Sequence, residues 1–128
     1  MSTERDKEIT DFKSRLPLIF STPTDVPIEA FQNQCIRPIL KFQHELIISY
    51  FKHHFESHLV RLKELSSIQK RSLIRVLIQK NPIFKQFMVG VVVAFFSAEE
   101  LHFYLVNIKD INKRIHQMVT QRITDTLC

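Results

Sequence analysis

Apolar residues recur along this chain every three or four positions, not every second one. From Ile28 the series Phe31, Cys35, Ile39, Phe42 and Leu46 keeps that step. Beside it run Ile36, Leu40, Ile47, Phe51, Phe55, Leu59 and Leu62. Together they read as one long helix over 27–63, with two stripes that are wide for a helix burying a single face. Asp25 or Thr24 can cap it, and Pro27 is tolerated in its first turn. Pro38 lies inside the pattern. It lacks a backbone donor and its ring meets the preceding turn, so a kink or break is expected near it. Unbroken, the segment would run about 55 Å, against a radius of gyration of about 14 Å for a compact domain of this size. The helix must bend, protrude or be shared with a partner.

Three further helices follow from cap signals. Ser66 and Gln69 form a capping box ahead of Ile68, Leu73, Ile74, Leu77 and Ile78, and that helix should end near Lys80. Asn81-Pro82 stops it and opens the next, with Asn81 as cap. The helix over 82–95 is apolar almost all round, which predicts a central position. Gly90 inside it costs about 1 kcal/mol relative to alanine, a cost that a close helix crossing would explain. Ser97 and Glu100 form the second capping box. After it Leu101, Tyr104, Leu105, Ile108, Ile111, Ile115, Met118, Val119 and Ile123 stay in phase. Residues Asn107 to Asp110 are a candidate interruption, but the phase carries through them, which allows one helix or two nearly collinear ones. The N-terminal 1–26 reads as an arm, partly flexible. Ile9, Phe12 and Leu16 support a short helix over about 4–15, which Pro17 would stop. Leu18-Ile19-Phe20 is an apolar tab that either packs on its own domain or crosses to a second subunit. The expected fold is all-α: an irregular bundle of four to five helices over 27–128, preceded by the arm.

Composition narrows the function more than it names it. The 128 residues include one glycine. Glycine-rich turns, phosphate loops and dinucleotide fingerprints need far more. Eleven Phe and no Trp point to a core built from rings without polar handles. Cys35 and Cys128 form no CxxC motif, and nothing indicates a disulfide framework. The N-terminus mixes acids and bases without an apolar run. The longest apolar run, 88–96, is less than half the span of about 20 residues that a membrane helix needs. A cytoplasmic chain with no membrane contact is the expectation.

The net charge of +5 is unevenly placed. Residues 66–85 carry Lys70, Arg71, Arg75, Lys80 and Lys85 and no acid. A solvated face is the default reading, and phosphate contact by Lys70, Arg71 and Arg75 is the functional one. Helix–Asn-Pro–helix superficially resembles a helix-turn-helix. Its second helix offers only Lys85 and Gln86 to base edges, which argues against sequence-specific DNA reading.

Metal and catalytic signals are weak. His54 and His58 share the i, i+4 spacing of zinc sites but lack the HExxH order. Glu99-x-x-His102 matches one unit of a di-iron bundle that requires a second copy, and none exists. A small helical enzyme or metal protein would draw on these four residues. There is no GxSxG for nucleophilic catalysis, and no cofactor is indicated.

Several stretches carry a resemblance: Phe31-Gln32-Asn33, Arg37-Pro38-Ile39-Leu40-Lys41-Phe42-Gln43, Phe96-Ser97-Ala98-Glu99-Glu100, Asn112-Lys113-Arg114-Ile115 and Gln121-Arg122-Ile123. Over about 28–125 the chain resembles a family of small uncharacterised helical bacterial proteins, some of which carry a glyoxalase label. The usual glyoxalase is built on βαβββ units with strand-borne metal ligands. This chain lacks those strands and turn glycines, so the label does not carry over, and the resemblance implies no catalytic residues. The functional expectation is a non-enzymatic protein-interaction module acting as a homodimer. The long first helix, through Phe51 and Phe55, would supply most of the dimer surface. A nonspecific nucleic-acid binder acting through 66–85 is the alternative.

Overall fold

A computed structural model describes residues 3–16 and 24–128, and these are all-helical, with no β-strand among them. The helices are α1 (Glu4–Ser14), α2 (Pro27–Phe31), α3 (Arg37–Phe42), α4 (His44–His54), α5 (Glu56–Lys63), α6 (Ser67–Gln79), α7 (Pro82–Val93), α8 (Ala98–Val106) and α9 (Ile108–Leu127). A π-helical turn, Gln32–Ile36, joins α2 to α3. The apolar tab Leu18-Ile19-Phe20 lies outside the described residues.

The long first helix is broken, but not where proline alone would break it. Upstream of Pro38 the Arg37 N–H bonds the Gln32 carbonyl five residues back. This widening falls where the proline ring would otherwise meet the preceding turn. The interruptions come later, at Gln43 (φ −90°, ψ 8°) and Phe55 (φ −112°, ψ 28°). Three helical segments, 27–42, 44–54 and 56–63, replace one rod of about 55 Å. The second stripe is buried from Ile36 to Phe55 and again at Leu62, whereas Phe42 and Leu46 of the first stay 49% and 44% exposed. The cap also differs from expectation. Val26 occupies the N-cap without a side-chain bond, while the Thr24 hydroxyl accepts from the Val26 N–H.

The later caps fall as the sequence pattern predicts. Ser66 with Gln69 and Ser97 with Glu100 form complete capping boxes, and the Asn81 side chain accepts from the Phe84 N–H. Asn107 (φ −119°, ψ 31°) separates α8 from α9.

The central helix is α9, not α7. Ile111, Ile115, Val119 and Ile123 repeat every fourth residue and are buried. Against α9 pack α4, α6, α7, α8 and the π turn. The composition of α7 misleads because its outer side, Ile83, Phe87, Gly90 and Ala94, is exposed. Among the described residues, a Cβ built on Gly90 would meet nothing within 4 Å, so no close crossing among them accounts for that glycine.

Rings fill the rest of the interior. Phe51, Phe55 and Phe84 pack together with centroids 4.9–5.9 Å apart. Phe31 touches Phe96 and Phe103. Phe12 of α1 lies against Phe42 and Phe95.

α1 is also held by charge. The Arg5 guanidinium donates to the carbonyls of Phe96 (2.8 Å) and Ala94 (2.9 Å), and the Lys13 ammonium to that of Phe95 (3.3 Å). These are carbonyls left open where α7 ends, the negative pole of a helix. Asp6 accepts from the Ala98 N–H at 2.9 Å, at the positive pole where α8 begins. Lys13 also pairs with Glu100 of the capping box.

Two outcomes are expected in urea unfolding. Ile115→Ala should cost about 2–5 kcal/mol, the range for truncating a fully buried aliphatic side chain. Asp6→Ala should cost about 1 kcal/mol, as loss of a helix-capping carboxylate does. A loss below about 0.3 kcal/mol, too small for a cap, would mean that α1 is not latched to the α7–α8 corner.

Candidate functional site

The residues nominated from sequence separate once folded. Phe51 and Phe55 are 0% and 4% exposed inside the protein's own core, so neither is on a surface that a partner can reach. The break at Gln43 turned their stripe inward. Of the basic residues, Arg71 pairs with Asp125 at 3.3 Å, and Lys70 is half-buried on α6. Arg75 lines a cleft. His54 stacks on Tyr50, with the Phe84 ring also beside it. His58 faces the Ser57 hydroxyl. Glu99 and His102 are exposed on α8. Among the described residues no group of three or more His, Cys, Asp or Glu is arranged to hold a metal.

Cys35 is a buried thiol beside Lys13 and Glu100. Burial foremost, then the Glu100 charge, push it well above the usual thiol range, which suppresses the reactive thiolate. Burial raises the Glu100 carboxyl too. Hydrogen bonds from Lys13, the Ser97 N–H and Cys35 outweigh it, and the net direction is down. The cluster belongs to the α1 latch.

The chemistry that sequence reasoning passed over flanks α9. With one stripe of α9 buried, Lys109, Lys113, Gln117 and Gln121 form an exposed ridge at i, i+4 spacing. On one side a cleft of about 700 Å³ opens between α6, the start of α7 and α9. Arg75, Lys85, Lys109, Lys113 and His116 line it, and no acidic residue does. On the other side a cleft of about 520 Å³ is lined by Arg37, His44, Arg114 and Arg122, with Asp125 at its edge. Gln117 and Gln121 border both. The second cleft's cations are occupied: Arg114 bonds Asp110 and Gln32, and Arg122 meets the His44 ring at 3.2 Å. In the first cleft, His116 carries a buried Nε2 with no hydrogen-bond partner among the described residues. From sequence the α9 cations are spread around their helix. Arg75 and Lys85, which complete the cleft, come from other helices.

A third feature is the outer side of α7. Ile83 is 72% and Phe87 41% exposed. Gly90 and Ala94 continue the same side of the helix.

No protein-family model, curated protein or solved structure matches the chain. No helix among the described residues is long and apolar enough to cross a membrane.

His116 gives a pH signature. Burial first, then the neighbouring Lys85 charge, push its imidazole below the usual range; a hydrogen bond with the Lys85 main chain opposes this and is outweighed. The folded protein therefore binds fewer protons than the unfolded chain just below the usual value of about 6.5. The associated stability is whole above that pH and is lost as pH falls through the folded-state value. Urea unfolding from about pH 7 to 5 should show a steeper loss for the wild type than for His116→Gln. Parallel profiles would mean that His116 titrates as a free imidazole.

Proposed function

We propose that the protein is a non-enzymatic cytoplasmic interaction module that acts as a homodimer, with the outer side of α7 as its contact surface. The observation that carries this reading is the exposed line Ile83, Phe87, Gly90 and Ala94, in which Phe87 lays one ring face on Tyr50 and remains 41% exposed. Isolated exposed hydrophobic residues are ordinary; a continuous apolar side of one helix is the feature that marks a contact surface. Gly90 strengthens it. Its helix-propensity cost of about 1 kcal/mol has no return among the described residues, since none of them lies within 4 Å of where its Cβ would be. A flat stretch at Gly90 and Ala94 lets a second helix come close. In a two-fold pair each residue is buried twice. Removing each Ile83 and Phe87 fully from water is worth up to about 1.5–3 kcal/mol, set against the freedom lost on association. The contact moves from the first long helix, whose rings are used internally, to the side of α7 that the core leaves bare.

Light scattering at micromolar concentration tests the reading. The expected mass is about twice the 15.2 kDa of one chain. Ile83→Glu should return it to one chain without harming the fold, because an acid suits the first turn of a helix. Gly90→Gln should do the same, since glutamine is the better helix former. Ile68→Glu, equally exposed but on α6, should leave the dimer intact. A wild-type mass near one chain would overturn the proposal.

A further inference from the structure

We propose that the cleft between α6, α7 and α9 binds a small phosphorylated molecule. This goes beyond the self-association reading and does not depend on it. Arg75 of α6, Lys85 of α7, and Lys109 and Lys113 of α9 all line one concave space. They come from distant parts of the chain and meet only through the fold, so they are not a single solvated run. Like charges gathered in one cleft repel each other and raise the local concentration of anions. The nearby aspartates do not neutralise them. Asp110 accepts from Arg114, and Asp125 accepts from Arg71 and Gln121; neither lines the cleft.

The remaining lining sets the ligand's character. His116 contributes a buried ring nitrogen, Nε2, with no partner among the described residues. Asn112 and Thr120 add neutral polar groups, and Ile78 an apolar wall. A volume of about 700 Å³ lies in the range of small-molecule sites and is far larger than a phosphate ion. The phosphate therefore brings an organic body with it, which Ile78 and the hydrocarbon stems of the lysines can cover. Lysine suits this use as a mobile point charge toward phosphate oxygens. A nucleic-acid backbone would need a longer basic track. The cations across the ridge, Arg114 and Arg122, are already held by Asp110, Gln32 and His44.

Isothermal titration calorimetry with phenyl phosphate, at constant ionic strength, tests the site. One phenyl phosphate per chain should bind, and the double variant Arg75→Gln/Lys113→Gln should weaken it at least about tenfold. Both side chains are exposed, so the variant should melt as the wild type does. The control Lys52→Gln/Lys63→Gln removes the same charge from α4 and α5, outside the cleft, and should bind unchanged. Inorganic phosphate should bind more weakly than phenyl phosphate. Equal weakening in both double variants would reduce the effect to net charge and overturn the site. So would no saturation at millimolar concentration. A single-stranded oligonucleotide that outcompetes phenyl phosphate and loses affinity in both variants would replace the proposal with a polyanion surface.

Discussion

Burial of one stripe of α9 is the constraint on which the rest of the molecule depends. Ile111, Ile115, Val119 and Ile123 lie on a single line of the helix and are almost wholly removed from water. They provide the surface on which α4, α6, α7, α8 and the π turn assemble. A helix of 20 residues with one buried line has three others, and their roles follow by geometry. The opposite line becomes the ridge of Lys109, Lys113, Gln117 and Gln121. The two flanks become the walls of clefts whose far sides are whatever packs alongside. Thus the core arrangement decides which cations share a space. Arg75 and Lys85 meet Lys113 because α6 and α7 pack on α9, just as Arg37 meets Arg122 on the opposite flank.

The corner between α7 and α8 is the second point of dependence. Two helix ends of opposite polarity come together there, separated by Ala94 to Ser97. Open carbonyls face outward from one and open N–H groups from the other. α1 answers both with adjacent residues, Arg5 for the carbonyls and Asp6 for the N–H, and Lys13 two turns on bridges to Glu100. Phe12 adds apolar contact with Phe42 and Phe95. A segment of low hydrophobicity is thereby attached by hydrogen bonds whose direction the helix poles dictate. That attachment sets Lys13 and Glu100 beside the buried Cys35 thiol.

Self-association and anion binding would use different surfaces of the same scaffold. The outer side of α7 is apolar and carries its one glycine where none of the described residues approaches. The cleft begins at Lys85, near the N-terminal end of α7, and runs along α9. Both surfaces exist because α7 packs on α9 by only one side, leaving an apolar side uncovered and an edge that borders the cleft. Neither surface requires the buried Phe51–Phe55–Phe84 cluster to change, so a contact at either leaves the core as it is.

The all-helical class and most helix ends were written in the sequence because their causes are local. A serine three residues before Gln69 or Glu100, or an asparagine before a proline, satisfies backbone groups within one turn. Such signals need no knowledge of the rest of the fold. Helical periodicity likewise named the α9 stripe. What tertiary structure alone decided was the choice among equally apolar faces. Pro38 looked like the breaking point, yet a π turn absorbed it. The helix broke instead at Gln43 and Phe55, and the stripe through Ile36, Leu40, Ile47, Phe51 and Phe55 went into the core while Phe42 and Leu46 of the other stayed exposed. The same choice took Phe51 and Phe55 out of the candidate contact surface and left Ile83 and Phe87 outside. The basic cleft was illegible for a related reason. Arg75, Lys85, Lys109 and Lys113 are spaced across the chain with no common motif. Their joint electrostatic field exists only once three helices set them around one space.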